Sequence, residues 1–337
     1  MVRKYLLKLM NGQDLTESEM IEVMDNIMSG NVTEAQIASF LTALKIKGEV
    51  VTEIVAGAKI LREKAEKVDL SEYYTVDTCG TGGDKSGTYN ISTAVAIVVA
   101  TAGLKVVKHG NRSVSSKCGS ADVLETLGIK IDLQPEKVKK CVEEVGIGFF
   151  FAPVFHKSMR FVGKTRKEMG VSTIFNILGP LANPANANAQ VLGVFDEKLT
   201  EIMAEVLKNL GVKRALVVHG KDGLDEFSIT GETKVTELKD NQLKSYIVRP
   251  EDFGIKSADI KEIIGGDSKE NANIIRDIFN GKKGPKRDIL LLNAGASLYV
   301  GEKVDSIADG IKLASKLIDE GKVIRKLEEF IYYSNKV

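Results

Sequence analysis

Residues 75–108 read TVDTCGTGGDKSGTYNISTAVAIVVATAGLKVVK, and this stretch decides the fold. Residues 75–79 are predicted to form a strand, which a glycine-rich loop follows. A helix is predicted from about 90 to 102, where Gly103 ends it, and residues 104–108 are predicted to form the next strand. A strand, a helix and a second strand in this order indicate parallel strands joined by a crossover helix. The sequence therefore predicts an α/β fold with a mainly parallel central sheet.

The same alternation continues toward the carboxyl end. A second polar loop spans residues 109–119, and a helix is predicted from Ser120 to Gly128. A further helix is predicted after Lys303, and three short apolar runs are predicted to extend the sheet. These predicted strands are residues 191–194, 215–218 and 289–292.

The amino-terminal region differs, because its apolar residues have helical spacing and no strand pattern is present. Thr16 with Glu19, and Thr33 with Gln36, have the spacing of capping boxes at helix starts. A third helix is predicted to begin near Thr52. Residues 1–70 are therefore predicted to form a small helical domain.

The remaining chain is predicted to form a larger domain. Residues 156–180 have a helical pattern that breaks at Gly179-Pro180. We expect a helical segment at about 165–190 to return to the helical domain. Residues 71–164 and 191–337 then make up the α/β domain.

The composition limits the classes of partner. The 337 residues are 43% hydrophobic and carry a formal net charge of +1, which predicts a globular protein with no bulk attraction to nucleic acid or membranes. The three cysteines match no zinc or redox motif and are expected to be reduced thiols. The most apolar run, residues 94–102, is too short to span a bilayer, and no signal segment is recognisable. We expect a cytoplasmic protein without nucleic-acid or membrane partners.

The glycine-rich loop, residues 80–88, lies where open α/β sheets bind ligands. Glycines there allow backbone N–H groups to close on an anion. The dinucleotide fingerprint needs glycine where Lys85 stands, and the ATP-binding P-loop needs lysine where Thr88 stands. The loop therefore predicts a different anion site, and a plain tight turn is the alternative.

Two further segments carry groups that bind phosphate. Residues 90–93, Asn-Ile-Ser-Thr, begin a predicted helix and either cap it or hold an anion at its amino terminus. Residues 108–120 combine three cations with an asparagine and serines after a predicted strand. A solvated surface loop is the alternative for this second segment. His109 within it is either structural or in contact with a substrate.

An acidic pair and a basic helix complete the candidate residues. Asp225-Glu226 in a turn offers the oxygen ligands that Mg²⁺ prefers, and a polar turn is the alternative. In the basic segment from His156 to Arg166, the guanidinium is suited to a substrate carboxylate. On a continuous helix these two side chains would point to neighbouring sides, and a plain basic helix is the alternative.

Together these residues resemble the anthranilate phosphoribosyltransferase family. The resemblance rests on stretches that occur in the family's order from about residue 77 to residue 226. They are residues 77–84 (DTCGTGGD), 90–93 (NIST), 108–112 (KHGNR), 119–125 (GSADVLE), 174–184 (IFNILGPLANP) and 222–226 (DGLDE).

The resemblance implies an enzyme of tryptophan biosynthesis, in which phosphoribosyl pyrophosphate and anthranilate give N-(5-phosphoribosyl)anthranilate and pyrophosphate. It implies a helical domain hinged to an α/β domain, a homodimer formed through the helical domain, and Mg²⁺ as the cofactor. No residue is implied as an obligatory acid or base. The implied donor-binding residues are Gly80, Gly82, Gly83, Asp84, Thr88, Asn90, Ile91, Ser92, Thr93, Lys108, His109, Gly110, Asn111, Arg112, Ser113, Val114, Ser115, Ser116 and Ser120. The implied anthranilate contacts are Gly80, Asn111, Arg166, His109 and His156, and the implied Mg²⁺ ligands are Ser92, Asp225 and Glu226.

Two positions depart from the family pattern. Lys157 stands where proline usually follows the histidine, and Ser172 stands where arginine commonly precedes the threonine. Both lie on the acceptor side, so they bear on the acceptor more than on the donor. The alternatives are a pyrimidine-nucleoside phosphorylase of the same fold, which needs no Mg²⁺, and a non-enzymatic nucleic-acid-binding relative, which would need a basic stripe.

Overall fold

The computed structural model describes residues 2–84, 86–113 and 117–337. Among the predicted donor-binding residues, Val114, Ser115 and Ser116 lie outside the described residues. No helix within the described ranges combines the length and the apolar character needed to cross a membrane.

Four helices form the amino-terminal part of the chain, and they are α1 (Val2–Met10), α2 (Glu17–Met28), α3 (Glu34–Lys47) and α4 (Val51–Lys64). Both predicted capping boxes are confirmed. The Thr16 hydroxyl accepts from the Glu19 N–H at 3.3 Å, while the Glu19 carboxylate accepts from the Thr16 N–H at 3.0 Å. Thr33 and Gln36 make the equivalent pair. Helix α1 was not predicted, because no capping sequence marks its start.

A seven-stranded sheet forms the centre of the fold, in the order β3-β2-β1-β4-β5-β6-β7. The strands from β3 to β5 pair in parallel, whereas β6 and β7 are added antiparallel at one edge. The predicted α/β class with a mainly parallel sheet is confirmed. The strands are β1 (Thr75–Gly80), β2 (Lys105–Gly110), β3 (Ile147–Phe151), β4 (Ala189–Gly193), β5 (Arg214–Gly220), β6 (Thr233–Lys239) and β7 (Gln242–Val248).

Helices connect and cover these strands. They are α5 (Ile91–Thr101), α6 (Ser120–Leu127), α7 (Pro135–Val145), α8 (Ala152–Phe155), α9 (Arg160–Met169), α10 (Ile174–Leu178), α11 (Leu199–Asn209), α12 (Ser268–Phe279), α13 (Pro285–Val300), α14 (Ile307–Asp319) and α15 (Lys322–Lys336). The helices predicted at 90–102, at 120–128 and after Lys303 are confirmed.

Two predicted elements were wrong. Residues 289–292 are not a strand but the middle of α13, because a short apolar run has the same composition in a buried helix and in a buried strand. Residues 156–180 are not one helix. Gly170 adopts a left-handed φ of 62° that ends α9, and α10 begins after a short loop.

The two faces of the sheet belong to separate hydrophobic cores. Val191, Leu216 and Val218 pack in the core with α5 and α13, while their neighbours Leu192 and Val217 pack in the other. This alternation follows from the strand period of two residues. The second core also contains residues of α1–α4 and of α10. The helical part therefore packs on one face of the sheet together with the segment predicted to return to it.

The carboxyl ends of the strands bring the candidate residues together. From β1 the chain passes to β2 on one side, while β4 pairs with β1 on the other side. The crevice at such a change of direction is where open α/β sheets bind ligands. Gly80, Gly110 and Gly220 all end strands at this edge.

Candidate active site

Asp225 lies against the ends of β1 and β4. The N–H of Gly82, in the glycine-rich loop, donates to the Asp225 carboxylate at 2.8 Å. A Cβ atom on Gly80 would lie 2.3 Å from Asp225 Oδ2, and one on Gly193 would lie 1.5 Å from the Asp225 carbonyl oxygen. Glycine is therefore required at both strand ends for the acidic loop to come this close.

Three carboxylates lie near enough to one another for their charges to interact. Burial and the charge of Asp84 raise the pKa of Asp225 to about 7. Burial and the charges of Asp225 and Asp84 raise the pKa of Glu226. The charge of Lys108 and the backbone N–H of Ser92 partly offset this rise. A cation bound between these groups would relieve their repulsion. The structure thus brings Asp225 and Glu226 together with Asp84 and Ser92.

These oxygen atoms suit Mg²⁺ that is shared with a substrate, and not a metal whose ligands all come from the protein. Within the described ranges, no three His, Cys, Asp or Glu side chains converge closely enough to hold a metal ion. Mg²⁺ commonly uses one or two carboxylates, keeps several waters and takes its other ligands from substrate phosphates. The residues present therefore fit Mg²⁺ bound together with a diphosphate.

Lys108 lies beneath the site and not on its surface. Its side chain is only 3% exposed, and its ammonium donates to the Thr78 carbonyl at 2.6 Å and to Ser92 Oγ at 3.3 Å. Burial lowers the pKa of this lysine, while the charges of Asp77 and Glu226 oppose that shift. Lys108 thus orients Ser92 and offsets nearby negative charge.

Asn90 connects the two predicted phosphate-binding segments. It precedes α5 but makes no side-chain capping bond, so the capping alternative does not hold for it. Its amide donates to the Cys118 carbonyl at 3.1 Å and accepts from Asn271 at 3.0 Å. Ile91 and Thr93 are each 1% exposed, so their side chains belong to the interior.

The carboxyl-terminal end of the glycine-rich loop is bridged to a distant segment. Thr88 pairs with Ile264 in an isolated β-bridge, and the Gly265 N–H donates to the Gly87 carbonyl at 2.9 Å. Gly83 adopts a left-handed φ of 82°. The glycine-rich loop is therefore held at both of its ends.

The second polar loop folds back on the start of α6. The Asn111 carbonyl accepts from the Ser120 hydroxyl at 3.2 Å, and a Cβ on Gly110 would lie 2.2 Å from Ser120 Oγ. The predicted phosphate ligand Arg112 forms a two-pronged pair with Glu125, at 2.8 and 3.0 Å. In this structure the guanidinium is thus held by a carboxylate of the protein.

The second loop is closed by Asp122, which sequence reasoning had not assigned. Its carboxylate accepts from the N–H groups of Ser113, at 3.0 Å, and Gly119, at 2.8 Å, and also pairs with Arg112 at 3.0 Å. One carboxylate therefore ties together both ends of the loop. Its position three residues after Gly119, at the start of a predicted helix, is the sequence signal that could have identified it.

Two buried histidines, one at the end of β2 and one after α8, form a pair. The rings of His109 and His156, here called the histidine pair, have centroids 5.0 Å apart. Burial lowers the pKa of His109 to about 3 and that of His156 to about 4, so both rings are neutral at pH 7. Within the described residues, Nε2 of His109 is buried without a hydrogen-bond partner. Such an orphaned polar atom indicates a place for a ligand.

Arg166 is a half-buried cation on α9. Its guanidinium lies 5.3 Å from the centre of the Phe175 ring, and burial lowers its pKa. It forms no ion pair with another described residue. His156 lies between α8 and α9, whereas Arg166 lies on α9. The two residues therefore do not share one continuous helix, and the predicted direction of their side chains to neighbouring sides of it does not apply. Arg166 is thus available for a carboxylate that the protein does not supply.

Comparison with known proteins identifies the family. Residues 72–324 match the model of the glycosyl transferase family a/b domain, and residues 3–65 match that of the family's helical bundle domain. An anthranilate phosphoribosyltransferase of Acetivibrio thermocellus is 57% identical, over 99% of this chain and 97% of its own length. The chain belongs to the anthranilate phosphoribosyltransferase family. A second anthranilate phosphoribosyltransferase, of Alkaliphilus metalliredigens, is 54% identical over 100% of this chain and 99% of its own length.

Solved anthranilate phosphoribosyltransferases share the whole fold. The Thermus thermophilus enzyme superposes with a TM-score of 0.93 at 42% identity, covering 98% of this chain and 99% of its own. The Saccharomyces cerevisiae enzyme, solved in complex with PRPP and Mg, superposes with a TM-score of 0.91 at 29% identity, covering 100% and 98%. These likenesses do not favour the phosphorylase or the nucleic-acid-binding alternative.

The anthranilate phosphoribosyltransferase fold also contains buried polar contacts that the sequence did not reveal. Asn183 donates to the buried Asp77 carboxylate at 2.8 Å and to the Val107 carbonyl at 2.7 Å. The Asp77 carboxylate also accepts weakly from the His109 N–H, at 3.4 Å. These bonds join β1, β2 and the segment before β4 below the site. Their partners are far apart in sequence, so no local pattern marks them.

Proposed function

We propose that this chain transfers the 5-phosphoribosyl group of phosphoribosyl pyrophosphate to the amine of anthranilate. The products are N-(5-phosphoribosyl)anthranilate and pyrophosphate, in tryptophan biosynthesis. Membership of the family, at 57% identity over nearly the whole chain, is the observation that carries this proposal. The half-buried carboxylates beside the glycine-rich loop support it, because they suit a metal-bound diphosphate.

The donor would bind at the carboxyl ends of β1 and β2. Backbone N–H groups of the glycine-rich loop would face the pyrophosphate, and the Asn90–Thr93 segment and the second loop would face the ribose and its phosphate. Ser92, Asp225 and Glu226 would hold Mg²⁺. When bound, the ion supplies positive charge that stabilises the departing pyrophosphate.

The acceptor would bind near the histidine pair. Arg166 offers a cation for the anthranilate carboxylate, and its half-buried position strengthens such a pair. The neutral rings of the histidine pair present an uncharged surface to the aromatic ring. Asn111 and the backbone of Gly80 would complete the contacts.

The reaction itself demands mainly positioning. The bond from ribose C1 to the pyrophosphate oxygen breaks, and its electron pair leaves with the pyrophosphate. The sugar passes through an oxocarbenium-like state, and the anthranilate nitrogen attacks the opposite face, so that the configuration at C1 inverts. The nitrogen then loses one proton to water or to the released pyrophosphate. An arylamine is neutral near pH 7, so no strong base is needed to free its lone pair. An error of about 1 Å in placement costs roughly a hundredfold in rate, which makes orientation the main task of the acceptor side.

A direct assay tests the proposal. Purified protein is mixed with anthranilate, phosphoribosyl pyrophosphate and Mg²⁺, and the loss of anthranilate fluorescence is followed with and without a chelator. We expect a loss that needs all three components and stops with the chelator. Phosphate-dependent cleavage of a pyrimidine nucleoside, with anthranilate unconsumed, would contradict the proposal.

A homodimer formed through the helical domain belongs to the same proposal. Leu7 and Met10 on α1 and Ile46 on α3 are 51%, 68% and 82% exposed, and exposed apolar side chains of this kind suit an interface between subunits. Sedimentation analysis would measure the mass in solution. The domain boundaries, the hinge and the cytoplasmic location stay predictions.

A further inference from the structure

Helix α13 carries a buried asparagine that binds the backbone of a distant loop. Asn293 is 2% exposed. Its amide oxygen accepts from the Phe227 N–H at 3.0 Å, and its amide nitrogen donates to the Phe227 carbonyl at 2.9 Å. The nitrogen also donates to the Ile289 carbonyl at 2.9 Å. Asn293 thus pairs with Phe227 as a neighbouring strand would.

Phe227 directly follows the acidic dipeptide Asp225-Glu226. Leu224 and Phe227, on either side of the dipeptide, are both fully buried. The Asp222 carboxylate closes the same loop by accepting from the Ser228 hydroxyl at 2.6 Å and from the Leu224 N–H at 3.2 Å. The backbone on both sides of the two carboxylates is therefore anchored.

Such anchoring is needed because the two carboxylates repel each other and Asp84. Like charges that are partly withdrawn from water would separate if the backbone were free to move. A rigid support keeps ligand groups in place before the metal arrives. Asn293 supplies that support with a neutral group, which adds no charge to the site.

The same helix also holds the donor side. The Tyr89 hydroxyl, just before the Asn90–Thr93 segment, donates to the Lys286 carbonyl at 2.7 Å. Lys286 and Asn293 are about two helical turns apart and lie on nearly the same face of α13. One face of one helix therefore contacts the residue before the donor segment and the residue after the acidic dipeptide.

We propose that Asn293 is a positioning residue, which fixes the backbone of Phe227 and so sets where Asp225 and Glu226 meet the metal-bound diphosphate. This inference rests on the proposed function. It assigns to α13 the task of keeping the acidic dipeptide at a set distance from the donor-binding segment.

The test replaces Asn293 and compares the effect on metal binding with the effect on the stability of the fold. Asn293→Ala removes both bonds to Phe227, and Asn293→Ser is a milder second variant. Ser297→Ala is the matched control, because Ser297 is also buried on α13 but its hydroxyl bonds to the Asn293 carbonyl, at 2.8 Å, and not to the loop. Thermal unfolding reports whether each variant folds.

The first readout is the Mg²⁺ concentration that gives half-maximal activity. The second is Mn²⁺ binding in the presence of phosphoribosyl pyrophosphate, measured by electron paramagnetic resonance. The third is the hydrogen exchange of residues 224–229. In folded Asn293 variants we expect the affinity for the metal to fall by about tenfold or more. We also expect faster hydrogen exchange of the 224–229 peptide and only a small change in kcat at saturating Mg²⁺. The Ser297→Ala control should show none of these changes.

Asp225→Asn separates this inference from the proposed function. If Asp225→Asn leaves the Mg²⁺ requirement unchanged, the metal role of the acidic dipeptide fails and the inference fails with it. If Asp225→Asn raises the requirement while Asn293→Ala does not, only the inference is overturned. Unfolding of both Asn293 variants, or faster exchange without any change in metal binding, would show a purely structural role and also overturn it.

Discussion

Replacing Asp225 by asparagine should stabilise the metal-free protein at pH 8, although it removes a proposed metal ligand. The pKa of Asp225 is raised from 3.8 to about 7, first by burial and then by the charge of Asp84. Since a change of one in pKa corresponds to about 1.4 kcal/mol, the charged carboxylate costs the folded state roughly 4 kcal/mol. Asparagine has the shape of the protonated carboxyl group, and its amide oxygen can still accept from the Gly82 N–H.

The gain depends on pH, and its sign follows from the raised pKa. Well below pH 4 the carboxyl group is protonated in the folded and the unfolded chain, so the variant gains nothing. Between about pH 4 and pH 7 the unfolded chain releases its proton first, and the wild-type protein loses stability progressively. Above pH 7 the loss is complete. A raised carboxyl pKa therefore makes the stabilising effect of asparagine grow with pH.

The size of the effect can be expressed as a melting temperature. For a chain of 337 residues, the entropy of unfolding is about 0.7 kcal/mol per kelvin. The variant should therefore melt about 6 °C higher than the wild type at pH 8, and about 2 °C higher at pH 5. Circular dichroism without Mg²⁺ measures both, with Asp240→Asn as an exposed control. If the variant melts at the same temperature as the wild type at pH 8, or at a lower one, the raised pKa of Asp225 is refuted.

Three other outcomes are expected. Arg166→Ala should raise KM for anthranilate at least tenfold with a smaller change for the donor, because a half-buried charged contact is worth about 1.5–3 kcal/mol; equal effects on both substrates would count against a carboxylate contact. Glu125→Gln should lower KM for the donor by up to about fivefold, because it weakens an exposed pair that holds Arg112; an unchanged or higher KM would show that Arg112 does not reach the donor. The histidine pair should show no imidazole titration between pH 5 and pH 8 by NMR, since burial keeps both pKa values at about 3 and about 4; a midpoint near 6.5 would contradict this.

Local signals predicted the elements around the glycine-rich loop and two of the amino-terminal helices. Gly80 marks the end of a strand, and Gly103 marks the end of a helix. The capping boxes at Thr16 and Thr33 mark the starts of two helices, and all of these elements lie where the sequence predicts them. Helix α1 has no such signal and was missed. The run at 289–292 was misread because burial on all sides of α13 removes the helical period on which such a prediction depends.

The site was predicted as a set of residues but not as an arrangement. Lys108 has the charge of a phosphate ligand, yet the structure buries it below Ser92, and no sequence pattern distinguishes these positions. Asn293 and Phe227 are brought together only by the tertiary fold. Contacts of this kind depend on how α13 packs against the sheet, so the sequence around either residue does not contain them.

The break at Gly170 and the packing of α10 with the helical core have a consequence for how substrate choice can change. Arg166 is carried by a segment that leaves the sheet, whereas the glycine-rich loop and the acidic dipeptide are built on the strand ends themselves. If the two substrates bind as proposed, mutations that remodel the segment would change the choice of arylamine and leave the binding of the sugar diphosphate unchanged. Natural variation and laboratory selection would then have separate places in which to adjust the two substrates.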